Sequence, residues 1–298
     1  MSRDRTRVVA GDPVLGVRDL TVGYHGVPIV HGVSLNLVAG ATACVVGPNG
    51  CGKSTLLKGL AGLIKPMGGS IDLMDRGDVT AMSTAERAAG GMGYVPQIDD
   101  VFGPLTVEEN IVIGGYTLPR KQVAVNKDRV LDLFPRLRSM LKRHAGVLSG
   151  GERKMLAMAR VLMLEPTVLL LDEPTAGLTE EMASRLLDEQ LAELKAGGIA
   201  ILLVEQRANL AMASADWAYV LASGRVRREG SAADLRADPS FSHIFLGGTE
   251  EAFSGAVADS TKSVGEVGCT ESSTSPEAQR GAQIAGVGVP SNTIRTEN

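Results

Sequence analysis

At 298 residues and 44% hydrophobic content the chain can bury a substantial core, which excludes a disordered protein and predicts one core or two lobes. A formal net charge of -4 argues against the basic face with which nucleic-acid binders displace counterions from phosphate. The three cysteines, Cys44, Cys51 and Cys269, cannot all pair with one another, lack the spacing of a zinc site or a redox CxxC, and fit a reducing cytosol.

The first twelve residues are charged at Arg3, Asp4, Arg5 and Arg7, carry no apolar stretch of the kind a secretion signal needs, and are read as disordered. No run approaches the roughly 18 apolar residues that span a bilayer, so any membrane role must come from a partner. Leu15 to Tyr24 reads as extended, and Ile29 to Leu37 alternates apolar and polar residues, the mark of a half-exposed strand in an antiparallel layer. Ala41 to Val46 is a short apolar strand, followed by a glycine loop and a helix over Lys53 to Leu60. Thr106 with Glu109 forms a capping box that starts a helix, and further helical stretches lie near Val125 to Leu141 and Ser149 to Leu164. Residues 98–165 therefore read as a helical insert, a second lobe. Thr167 to Leu171 and Ile199 to Val204 are continuous apolar strands separated by the helical pattern Glu180 to Lys195, as in a buried parallel sheet. The predicted class is α/β, a P-loop core of parallel sheet and antiparallel layer with an α-helical insert, over residues 13–246. From Gly247 to Asn298 the chain is rich in Ser, Thr and Gly, with Phe253 its one aromatic, and reads as a disordered tail.

Three motifs carry chemistry. Gly47-Pro48-Asn49-Gly50-Cys51-Gly52-Lys53-Ser54, followed by Thr55, matches the phosphate-loop pattern between a strand and a helix. Its glycines let backbone N–H groups turn toward phosphate, and the helix start adds about half a positive charge. Lys53 is the candidate for the β- and γ-phosphates, and the Ser54 hydroxyl for magnesium. Cys51 stands within this loop, so alkylation there is expected to block ATP binding and ATP to protect the thiol. Val168 to Leu171 runs into Asp172 and Glu173, which places one carboxylate for magnesium and one to orient and deprotonate the attacking water. Leu148-Ser149-Gly150-Gly151-Glu152 is a second capping box, a helix start whose glycines allow close approach of an anion.

A second phosphate-binding helix start beside a complete P-loop resembles the ABC ATPase family, in which this signature binds the γ-phosphate held by the opposite subunit. The resemblance implies that Tyr24, in ValGlyTyrHisGly, stacks on adenine and that Gln97, closing GlyTyrValProGln, reaches magnesium and water at the entrance to the helical lobe. Gln206, in LeuLeuValGluGln, stands where most of the family has a switch histidine; none of His25, His31, His144 or His243 replaces it, and glutamine cannot carry charge. The turn Thr175 to Thr179 also departs from the family's commoner form, which ends in aspartate. ValGluGln, AlaAsnLeuAla at 208–211, AlaAspTrpAlaTyrValLeu at 215–221 and GluGly at 229–230 resemble the ATPase subunits of branched-chain (hydrophobic) amino-acid uptake systems and their urea and amide relatives. Arg207 and Glu180 depart from that subfamily, where asparagine and proline are common.

The resemblance implies an ATP- and magnesium-dependent ATPase that dimerises with itself or a homologous ATPase. It would work at the cytoplasmic face of the membrane on separate permease subunits, served indirectly by a solute-binding protein. Urea or amides as the solute, and a non-transport regulatory role, stay open. A DNA-acting relative would need a coiled-coil arm between Lys53 and Ser149, for which that interval leaves no room.

Overall fold

A computed structural model describes residues 13–98 and 100–238. The two terminal segments read from sequence as disordered, 1–12 and 247–298, lie outside the described residues, as do residues 239–246 at the end of the domain.

The chain opens with β1 (Pro13–Tyr24) and β2 (Val27–Val38), an antiparallel pair whose outer strand alternates buried and exposed side chains, as its period-2 pattern predicts. β3 (Thr42–Val46) is buried throughout and leads into the phosphate loop and α1 (Lys53–Leu60). β4 (Gly68–Leu73) and the short β5 (Gly77–Asp78) return to complete the antiparallel sheet, in the order β2-β1-β4-β5. α2 (Thr84–Gly90) then precedes β6 (Met92–Val95).

The next stretch is helical: α3 (Val107–Gly114), α4 (Arg120–Leu133), α5 (Pro135–Arg138) and α6 (Gly150–Leu162). The single helix expected over Val125 to Leu141 is broken at Phe134, because the residue before a proline is pushed out of helical conformation and Pro135 starts a new turn. β7 (Val168–Asp172) follows, then one helical run made of α7 (Glu180–Arg185), a π-helical turn at Leu186–Gln190 and α8 (Leu191–Ala196). The described chain ends with β8 (Ala200–Val204), α9 (Ala208–Ala213), β9 (Trp217–Ala222), β10 (Arg225–Ser231) and α10 (Ala232–Ala237).

The second sheet has the order β10-β9-β3-β8-β7-β6, parallel except at β10. Its central strands read as unbroken apolar runs because both faces are covered. On one face Val45, Leu170 and Leu202 pack with α1 and the antiparallel sheet. On the other, Cys44, Leu169, Leu171, Ile201 and Leu203 pack with residues of α3, α4 and α6. Loops at the carboxyl ends of β3, β7 and β8 thus lie side by side, where α/β proteins place their ligands. Among the described residues no helix is long and apolar enough to cross a membrane.

Candidate active site

The glycine loop is shaped by its neighbours. A Cβ at Gly47 would lie 2.1 Å from the Leu221 carbonyl oxygen, so only glycine lets β3 end so close to β9. Gly52 has φ 105°, a backbone that side chains rarely adopt, and it turns the chain into α1. α1 starts without a side-chain cap and without an acidic residue in its first turn, which leaves its leading N–H groups to an incoming anion. The Lys53 ammonium, buried, donates to the carbonyls of Gly47 and Pro48 at 2.8 and 3.0 Å, holding the loop curled around it. Pro48, Asn49 and Gly50 form the open rim, Cys51 and Thr55 are buried beneath it, and Gly52 is packed against Ile29 and Val30.

Cys51 corrects an expectation. The residue is only 6% exposed and belongs to the core cluster beneath the antiparallel sheet, and burial pushes the thiol pKa up despite Lys53 nearby. A thiol so placed is a poor nucleophile, so alkylation is no easy route to blocking the loop.

At the end of β7, Asp172 accepts a hydrogen bond from the Ser54 hydroxyl at 2.9 Å and from the Tyr94 hydroxyl at 3.3 Å. Burial raises its pKa, and the bonds from Ser54 and Tyr94 oppose the rise. One hydroxyl and one carboxylate aimed at the same point suit magnesium, which binds through few protein oxygens and completes its shell with substrate phosphates and water. Among the described residues there is no cluster of three or more histidine, cysteine or acidic side chains that could hold a metal without such help.

Glu173 has φ 46°, in the left-handed region that a non-glycine residue adopts only when its surroundings impose it. Its N–H still continues the β7–β8 ladder to the Val204 carbonyl at 2.9 Å, while its own carbonyl accepts from the Ala176 N–H at 3.1 Å in the turn that follows. Its carboxylate accepts from the Gln97 side-chain amide at 2.6 Å, and burial raises its pKa, with Lys53 acting in the opposite sense. A carboxylate of raised proton affinity, half-buried next to the phosphate loop, is equipped to act as a base.

The structure thus brings Lys53, Ser54, Asp172, Glu173 and Gln97 into one connected group. Tyr24 stands apart at the end of β1, 39% exposed, where a flat ring can be covered. Gln206 is exposed at the end of β8. Ser149, exposed, caps α6 by accepting from the Glu152 N–H at 3.4 Å, while Glu152 accepts from the Ser149 N–H at 2.9 Å and pairs with Arg136. Gly150 and Gly151 sit against Leu178, and a Cβ on Gly151 would meet the Met182 methyl. Among the described residues no hydrogen bond joins this helix start to the glycine loop.

Three participants are absent from the motif reading. Glu205, buried, accepts from the Thr175 N–H and hydroxyl at 2.9 and 2.7 Å, locking the turn after Glu173 to β8. Its signal was available: a carboxylate ending an unbroken apolar strand is the same pattern that identifies Asp172. Tyr94 and Lys154 carry no such local signal, because their roles depend on strands and helices far apart in sequence. Thr179, where the family more often has aspartate, caps α7 by accepting from the Met182 N–H, a task both residue types perform.

The fold and this group of side chains define a P-loop nucleotide-binding protein. Residues 30–176 match the family described as ABC transporter. The chain is 42% identical to the probable branched-chain amino acid transport ATP-binding protein LivF of Archaeoglobus fulgidus, over 76% of this chain and 96% of that protein. It is 38% identical to the high-affinity branched-chain amino acid transport ATP-binding protein BraG of Pseudomonas aeruginosa, with the same two coverages. Among solved structures, a nucleotide-free ATP-binding cassette from an ABC transporter superposes with a TM-score of 0.71 at 27% identity, covering 79% of this chain and 100% of that one. The ADP conformation of a cassette gives the same score and identity, over 79% and 99%. The chain belongs to the ABC transporter family of ATP-binding proteins.

Proposed function

We propose that this chain is the ATP-hydrolysing subunit of an importer for branched-chain or other small amino acids, acting on separate permease subunits. The observation that carries the catalytic part is the 2.6 Å hydrogen bond between Gln97 and Glu173, beside the Ser54–Asp172 pair. The names of the LivF and BraG relatives supply the solute class.

In this reading the phosphate loop's N–H groups and Lys53 hold the β- and γ-phosphates. Ser54 and Asp172, with Gln97, would hold magnesium, which supplies neutralising charge for the transferring phosphoryl group. Glu173 takes a proton from water as the water oxygen bonds to the γ-phosphorus and the bond to the ADP oxygen breaks, giving ADP and phosphate. Tyr24 stacks on the adenine. The start of α6, from Ser149 to Glu152, closes on the γ-phosphate of a second subunit, which is another copy or a homologous ATPase. Gln206 offers the same phosphate a neutral hydrogen bond.

Ile98, Phe102 and Tyr116, exposed by 71%, 48% and 73%, flank the helices α3 to α6 and give the permease an apolar surface on what we read as the second lobe. That docking would keep the chain at the cytoplasmic side of the membrane, with the solute-binding protein acting only through the permease.

Glu173→Gln tests the chemistry. Loss of a general base lowers turnover by roughly 10²–10⁴. ATP affinity should persist, because the loop and Lys53 are untouched. A wild type that binds ATP without turning it over, or a variant as fast as wild type, would sink the assignment. Solute uptake by the reconstituted complex, compared among leucine, urea and amides, decides the substrate.

A further inference from the structure

Lys154, on the second turn of α6, is buried where helices usually place apolar groups: its side chain is 8% exposed. Its ammonium has three N–H donors and three partners. It pairs with Asp100, itself 10% exposed, at 2.8 Å, and donates to the Gln97 carbonyl at 2.6 Å and the Pro96 carbonyl at 3.4 Å. The Gln97 side chain then reaches Glu173 at 2.6 Å. Further along the same segment, Arg160 of α6 covers the Phe102 ring at 4.8 Å, and Asn110 of α3 binds both the N–H and the carbonyl of Phe102. Pro96, Gln97 and Asp100 are thus held by Lys154 of α6, and Phe102 by Arg160 of α6 together with Asn110 of α3. The bonds to the Pro96 and Gln97 carbonyls satisfy the ammonium's remaining donors and at the same time hold the backbone from which the Gln97 side chain extends.

We propose that Lys154 is a positioning residue that ties the placement of α6, and so of its start at Ser149, to the placement of Gln97 on Glu173. Resting on the function proposed above, this makes the fit of the helix start against a partner's nucleotide a condition for ordering the amide at the attacking water. The mechanical link is short: five residues of helix, about 7 Å, separate Ser149 from Lys154.

The test is a double-mutant cycle on the full chain with magnesium and ATP. Lys154→Met should lower kcat by about tenfold or more, as loss of an outer partner at a metal or phosphate site does. KM for ATP should move by less than about twofold, because the loop is unchanged. Lys154→Arg should restore most of the turnover. Lys154→Met combined with Gln97→Ala should be no slower than Gln97→Ala alone, since the lysine acts through that residue. Losses that multiply in the double variant, or a loss seen only in KM or in melting temperature, would overturn the proposal. Should Lys154→Met fail to fold, Lys154→Gln, which retains one donor for the Gln97 carbonyl, carries the same cycle. Wild type without turnover, or Glu173→Gln at wild-type speed, removes the underlying function and the coupling together; a normal Glu173→Gln loss with a silent Lys154→Met removes the coupling alone.

Discussion

Cys51 shows how far a single residue's chemistry is set by what lies behind it. In sequence it stands among the glycines of an anion-binding loop, where an electropositive setting lowers a thiol's pKa and invites alkylation. In the structure Cys51 packs in the core cluster that holds Leu56 and Leu57, and desolvation outweighs the Lys53 charge. The sign of the pH dependence follows: a raised thiol pKa leaves little thiolate at neutral pH, and labelling accelerates only as pH rises past the ordinary thiol range. With Cys269→Ser removing the thiol outside the described residues, alkylation at pH 7 should be on the order of tenfold or more slower in the native protein than in urea. Cys44 adds little to the native rate, since burial pushes its pKa up to about 12. A native rate equal to that in urea, measured by mass spectrometry of the labelled peptides, would contradict this placement.

At the scale of elements, α1 is held at both ends by groups remote in sequence. Its start is the phosphate loop; its last carbonyls are taken by Arg87 of α2, which is 1% exposed and donates to Gly59 and Leu60 at 2.8 and 2.6 Å. The same guanidinium reaches the Thr80 and Met82 carbonyls, so it joins α1 to the chain leaving the antiparallel sheet. Arg87→Met removes four hydrogen bonds, two of them to buried carbonyls, and should destabilise the fold by about 3 kcal/mol, read from the urea midpoint at unchanged m-value. A change within about 0.5 kcal/mol would show that water satisfies those carbonyls. Nothing in the local pattern of α2 announces this role, and the limit is general. Elements and residues whose signal is local were legible: β2 from its alternation, β7 and β8 from their apolar runs, α3 and α6 from their capping boxes, Asp172 and Glu173 from the strand end that presents them. Those defined by distant partners are not: β4 is placed by β1 and β9 by β3, with β5 and β10 following at the edges, and Arg87, Tyr94, Lys154 and the positive φ of Glu173 take their roles from other elements. The break at Pro135 is the exception, since the proline was in plain view and the helical period around it hid the stop.

For the whole molecule, the decisive feature is that two anion-ready helix starts belong to one chain without meeting in it. α1 opens onto the phosphate loop, while α6 opens at Ser149 beside Leu178 and Met182, with its own capping box to hold its shape. In the function proposed above, a nucleotide on the loop of one chain would be covered on its other side by the start of α6 on another chain. Association should then require the triphosphate. Glu173→Gln with magnesium and ATP is expected to sediment as a dimer, or as a heterodimer when a homologous ATPase is supplied, and to return to monomer with ADP. Ser149→Arg, which places bulk and a long side chain at the joint, should abolish the ATP-dependent dimer while ATP binding to the single chain persists. If Glu173→Gln stays monomeric with ATP both alone and with its companion ATPase and permeases, then the α6 start serves only its own chain, and hydrolysis must be completed by groups that one subunit already holds.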